Sequence, residues 1–297
     1  MPELPEVETV RRHLHAILPG HRIDRIELRR TALRYPIPVG AVQALAGHTV
    51  LSVRRRAKYL LIDLDGADAQ SVALVHLGMS GRLFAAAQPD HGTQAFERHE
   101  HWRLGLNAVA DSAVRLDLRY VDARRFGALD VFAAAAEPSH PLLAALGPEP
   151  LEAGFCGAYM YAGTRGLRSA VKSWLMDGHR VVGIGNIYAS EACWRAGVHP
   201  LGPAGDLDAA RCDALVGAAQ SVLRDAIAAG GSTLRDFVGG DSAPGYFQQS
   251  LDVYDRGGEP CTRCAKATGS SARPGSAVIE RTVLANRATY FCAACQS

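Results

Sequence analysis

Four cysteines near the C-terminus carry the strongest chemical signal in the chain. Cys261 and Cys264 form one Cys-x-x-Cys pair, and Cys292 and Cys295 form a second. A two-residue gap lets both thiolates of a pair reach one ion from a tight turn. Two such pairs complete a closed tetrahedral site, the arrangement that holds one structural Zn²⁺. A redox pair and coincidence are the alternatives, and two units in one short segment favour the metal. Four thiolates leave no open coordination position, so the expected ion builds structure and does not catalyse. A segment this small has little core, and the ion would supply most of its folding free energy. Between Cys264 and Cys292 lie 27 residues, longer than the usual spacing. The low-complexity stretch 265–277 accounts for the excess as a bulged loop. Arg256, Arg263, Arg281 and Arg287 are at hand to offset the net charge of a four-thiolate zinc centre. The remaining cysteines, Cys156, Cys193 and Cys212, sit among apolar residues and read as small buried hydrophobes.

The rest of the chain must position whatever chemistry there is. Its 297 residues exceed what one core usually organises, so two domains with a small appendage are expected. Hydrophobic content of 48% and charged content of 21% are ordinary for a globular protein. No apolar run approaches a membrane span, and the charged start Met1-Pro2-Glu3 is not a signal-peptide pattern. A cytoplasmic location is expected, and seven cysteines in that setting argue against a disulfide framework. Net charge is only +2, but residues 22–58 hold nine Arg or Lys against Asp24 and Glu27. Such a local field suits a polyanion; a well-solvated charged surface is the competing reading. Arg54, Arg55 and Arg56 are expected to face solvent or phosphates.

Val7, Val10, Leu14, Ile17 and Leu18 recur at helical spacing from the first residues, and Pro19-Gly20 stops them. Short runs at 22–28, 49–56, 59–64, 72–76, 102–106 and 114–118, separated by Gly, Asp and Pro, predict a sandwich of antiparallel strands. The alanine-rich segment ending at Glu137-Pro138 reads as a boundary. Beyond it the pattern predicts helices at 142–146, 170–176, 187–196 and 207–229. The expected fold is therefore α+β and multidomain. A β-sandwich with flanking helices spans 1–134, a helical domain 139–250, and a zinc unit 251–297. Residues 232–250, rich in Gly and Ser, read as a functional loop.

Seven segments then assemble into a resemblance. MPELPEVETV at the start, RRAKYL at 55–60, HLGMSGRL at 76–83, DARRFG at 122–127, GIGNIYASE at 183–191, PGYFQ at 244–248 and RATYFC at 287–292 stand in this order. With the cysteine pairs, they make the chain similar to the bacterial formamidopyrimidine-DNA glycosylases over nearly its whole length. The resemblance implies an N-terminal β-sandwich, a helix–two-turn–helix domain and a zinc-ribbon hairpin. It also implies a monomeric, nucleoid-associated base-excision repair enzyme acting on damaged double-stranded DNA. Such an enzyme removes oxidised purines, 8-oxoguanine and formamidopyrimidines, by combined glycosylase and lyase chemistry.

Residue by residue, the resemblance assigns the nucleophile to Pro2. Removal of Met1 leaves its nitrogen a free secondary amine, and an α-amino group titrates near neutrality. A proline at a helix start is also common for purely structural reasons. Glu3 resembles the proton donor to the sugar ring oxygen; as a first-turn acid it would also favour the helix dipole. Glu6 is read as structural only. Lys58 resembles a lysine used in β-elimination, and Arg287 one assigned to δ-elimination, where clamping phosphate suits a guanidinium better than acid catalysis. Met79, Arg124 and Phe126 match a trio that fills the gap left by an extruded nucleotide. His99 and Asn186 match DNA contacts, and Arg168 or Arg165 supplies a further phosphate contact. His101 is expected to support structure. Residues 232–246 would be a lid over the extruded base. The sister class that removes oxidised pyrimidines shares Pro2, Glu3 and the zinc; Leu4 and the PGYF segment favour the purine-directed class. A non-enzymatic zinc-dependent DNA-binding protein is disfavoured by the joint presence of Pro2, Glu3 and Lys58.

Overall fold

The computed structural model describes residues 2–66, 69–88, 95–111, 113–231, 251–267 and 277–297. The expected lid, 232–246, lies outside them. The chain divides into two compact units, one built on Met1–Ala145 and the other on Leu146–Ala228 with the C-terminal segment.

The first unit begins with α1 (Leu4–Ile17). Glu3 N-caps it and forms a reciprocal capping box with Glu6: the Glu3 side chain accepts the Glu6 N–H, and the Glu3 N–H donates to Glu6 Oε2 at 2.8 Å. Leu4, Val7, Val10 and Leu14 bury one face of the helix. Behind it runs an antiparallel sheet: β1 (His21–Leu28), β2 (Thr49–Arg56), β3 (Tyr59–Asp65), β4 (Gln70–His76), β5 (Arg82–Ala87), β6 (Glu100–Ala108), β7 (Arg115–Val121) and β8 (Ala128–Ala133). The short helix α2 (Val39–Gln43) lies between β1 and β2. The strand order is β5-β7-β6-β1-β2-β3-β4-β8.

Hydrogen bonding runs through all eight strands, yet β1 and β2 share a single registered pair, Arg22 with Thr49. That narrow seam lets the four strands on either side act as two layers. Ile23, Trp102, Leu104 and Tyr120 from one set join Val50, Leu60, Ile62 and Val75 from the other in one core, which α1 also enters. The edge strands β5 and β8 escape the sequence pattern. RLFAAA and ALDVFA are alanine-rich and weak in strand propensity, and they become strands because β7 and β4 offer them a partner.

The second unit contains α3 (Gly157–Thr164), α4 (Val171–Leu175), α5 (Asn186–Ala196) and α6 (Ala209–Ala228). Helix α5 ends on Gly197 at φ 69°, a left-handed cap that glycine adopts without strain. The helix expected at 142–146 is a set of turns between Pro141 and Gly147, closed by the N–H groups of Leu143 and Ala144 on the His140 carbonyl. After α7 (Thr262–Ala267), strands β9 (Glu280–Leu284) and β10 (Arg287–Phe291) pair as a hairpin. Its two turn residues, Ala285 and Asn286, have φ of 48° and 61°, the left-handed pair that a two-residue hairpin requires.

Candidate active site and metal centre

Pro2 and Glu3 are buried at the N-terminus of α1, with Glu3 only 3% exposed. The helix N-terminus directs partial positive charge at this point. Glu6, wholly buried, holds the Glu3 N–H, in keeping with its structural reading.

Lys58 lies in the two-residue turn between β2 and β3, half-buried, after Ala57 at φ 55°. Arg55 fixes that turn to α1: its Nε donates to Glu8 at 3.1 Å and its Nη1 to the Ala57 carbonyl at 2.9 Å. Arg54 is paired with Asp63 at 2.6 Å and with Glu137 at 2.7 Å. Arg54 is exposed, as expected, although both of its pairs are to protein carboxylates, whereas Arg55 is turned in to Glu8 and away from solvent. The cause is cross-strand and long-range pairing that the basic run in the sequence conceals. Arg25 is likewise paired, with Glu27 and Asp117. His76, which sequence reasoning passed over, has its pKa pushed down to about 4 by burial, then by the Lys58 and Arg34 charges. Its Nδ1 accepts the Gly78 N–H at 3.2 Å, so a neutral imidazole borders the Lys58 turn.

Met79 lies on the loop between β4 and β5, and Arg124 and Phe126 on the loop between β7 and β8. The two loops touch backbone to backbone. A Cβ on Gly78 would stand 2.5 Å from the Phe126 carbonyl carbon and from the Gly127 nitrogen, so residue 78 must be glycine. Phe126 is 44% exposed, and the Arg124 guanidinium lies 5.2 Å from its ring centroid. An exposed aromatic ring with a cation over it and a half-buried methionine on the adjoining loop is costly in water and suited to wedging between bases. His99, exposed and at φ 67°, lies in an open hollow with Arg29, Arg30, Arg98, Glu100 and His101. His101 is buried, and its Nε2–H donates to the Asp122 carbonyl at 2.7 Å, as its structural reading requires.

In the second unit Asn186 opens α5, but its Nδ2 donates to the Ala288 carbonyl at 3.0 Å. Its side chain thereby braces β10 next to Arg287. Lys172, 1% exposed, adds bonds from Nζ to the Ala288 carbonyl at 3.2 Å and to Thr289 Oγ1 at 2.9 Å. Arg287 itself is exposed at the hairpin end. Of the two alternatives near residue 165, both exposed, Arg165 donates to the Tyr161 carbonyl and to Thr164 and stacks on the Tyr161 ring.

The thiol sulfurs of Cys261, Cys264, Cys292 and Cys295 all lie within 4.8 Å of one another. The Cys261–Cys295 and Cys264–Cys292 sulfurs are 3.7 and 3.8 Å apart. Four sulfurs at the zinc–thiolate bond length of about 2.3 Å would stand about 3.8 Å apart at the corners of a tetrahedron. The cluster thus fits a metal ion of that size. Arg263 donates to the Trp194 and Arg195 carbonyls, capping the end of α5 beside the cluster. Glu191, quoted in a motif but given no role by the sequence, accepts the N–H groups of Asp252, Val253 and Tyr254 at 2.8–3.0 Å. It anchors the start of the metal segment to α5.

Comparison with known proteins matches residues 1–129 to the formamidopyrimidine-DNA glycosylase N-terminal domain and residues 146–238 to the formamidopyrimidine-DNA glycosylase H2TH domain. The chain is 48% identical over 296 residues to the formamidopyrimidine-DNA glycosylase of Acidiphilium cryptum, covering 100% of both. It is 46% identical to that of Aromatoleum aromaticum, covering 100% of this chain and 99% of the relative. Among solved structures, the MutM (Fpg) protein of Thermus thermophilus is similar at TM-score 0.81 and 33% identity, covering 99% of this chain and 98% of that one. The wild-type Lactococcus lactis Fpg, bound to DNA containing N7-benzyl-Fapy-dG, is similar at TM-score 0.83 and 30% identity, with both chains fully covered (100%). The fold is that of a base-excision repair DNA glycosylase with a helix–two-turn–helix domain. The chain belongs to the formamidopyrimidine-DNA glycosylase family. Among the described residues, no helix is long and apolar enough to cross a membrane.

Proposed function

We propose that this chain removes oxidised purines from duplex DNA as a cytoplasmic, nucleoid-associated monomer, with Pro2 as nucleophile and one structural Zn²⁺ on its four clustered cysteines. The observation that carries the reading is the Pro2–Glu3 pair: a buried glutamate next in the chain to a buried proline, whose nitrogen Met1 removal turns into a secondary amine. The Pro2 nitrogen attacks C1′, the bond from C1′ to the damaged base breaks, and the base departs with that electron pair and takes up the proton that the Pro2 nitrogen sheds. Glu3 delivers a proton to the ring oxygen as the C1′–O4′ bond opens, leaving an iminium ion. A secondary amine gives an iminium with no N–H to lose, so its charge persists as an electron sink. Loss of a C2′ proton then expels the 3′ phosphate, and a second elimination expels the 5′ phosphate. Lys58 serves the first elimination, and Arg287 clamps phosphate for the second. Met79, Arg124 and Phe126 fill the vacated stack, and His99, Asn186 and Arg168 hold the backbone. The four cysteines would hold the zinc, which supplies folding energy to the hairpin that carries Arg287.

The test is borohydride trapping on duplex DNA with 8-oxoguanine opposite cytosine, run beside a duplex containing an oxidised pyrimidine. A covalent adduct on the 8-oxoguanine duplex is expected. Protein that retains Met1 has an amide at Pro2, and should bind the duplex while forming no adduct. An adduct formed equally well by Met1-retaining protein would refute the role of Pro2, and a preference for the pyrimidine duplex would refute the substrate class.

A further inference from the structure

The loop bearing Met79 and the loop bearing Arg124 and Phe126 share one buried carboxylate. Asp122 is wholly buried and takes four hydrogen bonds. Its Oδ1 accepts from the Ser80 hydroxyl at 2.7 Å and the Arg124 N–H at 3.1 Å. Its Oδ2 accepts from the Gly127 N–H at 3.0 Å and the Tyr120 hydroxyl at 3.2 Å. Ser80 closes the junction, because its oxygen also lies 3.2 Å from the Arg124 N–H. The main chain of Asp122 extends the same junction to the His99 segment: its N–H donates to the His99 carbonyl at 3.0 Å, and its carbonyl accepts from His101 at 2.7 Å.

We infer that Asp122 is a positioning residue for base extrusion, locking Met79, Arg124 and Phe126 into one rigid wedge. This inference rests on the functional reading above. Its physical basis is that the wedge residues cannot hold themselves in place. Phe126 and Arg124 are exposed and have little packing, and Arg125 between them sits at φ 57°, a left-handed conformation that non-glycine residues adopt only when their surroundings over-determine it. Asp122 grips the backbone on both sides of that strained residue, at Arg124 and at Gly127. The glycines complete the fit, since a Cβ on Gly127 would collide with the Tyr120 hydroxyl. A wedge that must displace a nucleotide needs its geometry fixed before it meets DNA, and hydrogen bonds to a buried charge are the strong ones.

Asp122→Asn tests this. Whichever way the amide is turned, its NH₂ faces a backbone N–H that cannot accept, at Arg124 or at Gly127, so the shape is kept and the junction is broken on that side. Excision of 8-oxoguanine from duplex DNA should fall by roughly 10–100-fold, as loss of charge-assisted hydrogen bonds implies. Borohydride trapping on a single-stranded oligonucleotide with a preformed abasic site should change by less than about 3-fold, because no stack needs a wedge there. Ser80→Ala removes one of the neutral contacts without stranding a charge, and should lower duplex excision by about 5-fold; it decides the matter should Asp122→Asn not fold. Duplex excision at the wild-type rate by either folded variant, or an equal loss on both substrates, overturns the positioning role. Wild-type protein that excises nothing from any duplex overturns the functional reading and this role with it.

Discussion

Glu100 is the acid on which the first unit's buried charges converge, and replacing it with glutamine has a calculable consequence. Its carboxylate is wholly buried and accepts from Arg103 Nε at 2.8 Å, Arg119 Nη2 at 2.6 Å and the Glu97 N–H at 2.9 Å. Burial alone would raise its pKa, but the bonds from Arg119 and Arg103 outweigh it and hold the group at about 2 against an ordinary 4.5. A carboxylate depressed on folding contributes stability that is fully present above its unfolded pKa and lost as pH falls through its folded one. At about 1.4 kcal/mol per pH unit, that separation is worth about 3 kcal/mol at neutral pH. Glu100→Gln removes it and leaves two buried guanidiniums short of their counter-charge, a class of change that costs 3–5 kcal/mol, which is about 10 °C for a unit this size. Calorimetric unfolding of the full chain from pH 7 down to pH 3 reads the effect. The variant should unfold well below wild type at pH 7, and the gap should shrink below pH 4.5 as the wild type loses what the variant never had. A gap under 1 kcal/mol at pH 7, or one unchanged by acid, would refute the reasoning. Because His99 precedes Glu100 and lies in the same hollow, duplex affinity should fall as well.

Two further outcomes follow from the site. Phe126→Ala should leave stability within about 0.5 kcal/mol, since the ring is 44% exposed, but should cost duplex excision on the order of 30-fold through the lost wedge; quantitative excision kinetics with a thermal melt checks both. Elemental analysis should find one zinc per chain. Chelation or Cys264→Ser should release the hairpin carrying Arg287 and weaken DNA binding, while the first unit's unfolding transition stays in place; a chain that binds DNA equally well without metal would contradict this.

Local spacing settled part of this protein without any fold. The Cys-x-x-Cys pairs, the Pro2–Glu3 adjacency and the helical period after Glu3 are short-range facts, and covalent geometry carries them directly into the metal cluster and the capped helix α1. Met79, Arg124 and Phe126 stand in quoted motifs beside their glycines and Asp122, but only the resemblance, not spacing, read them as a trio. The motif text does not say, however, that one carboxylate joins the two loops. What depended on distant partners was not legible. The charge run at 54–56 looks like a phosphate surface until Asp63, Glu137 and Glu8 are folded against it. The alanine-rich strands β5 and β8 exist because a neighbour pairs with them. Glu191 is one acid among many until three backbone N–H groups, more than sixty residues away, converge on it. Sequence spacing fixes chemistry that acts within a turn or two of backbone. Ion pairing, strand pairing and buried hydrogen bonding draw their energy from groups brought together across the chain, so only the tertiary structure could assign them.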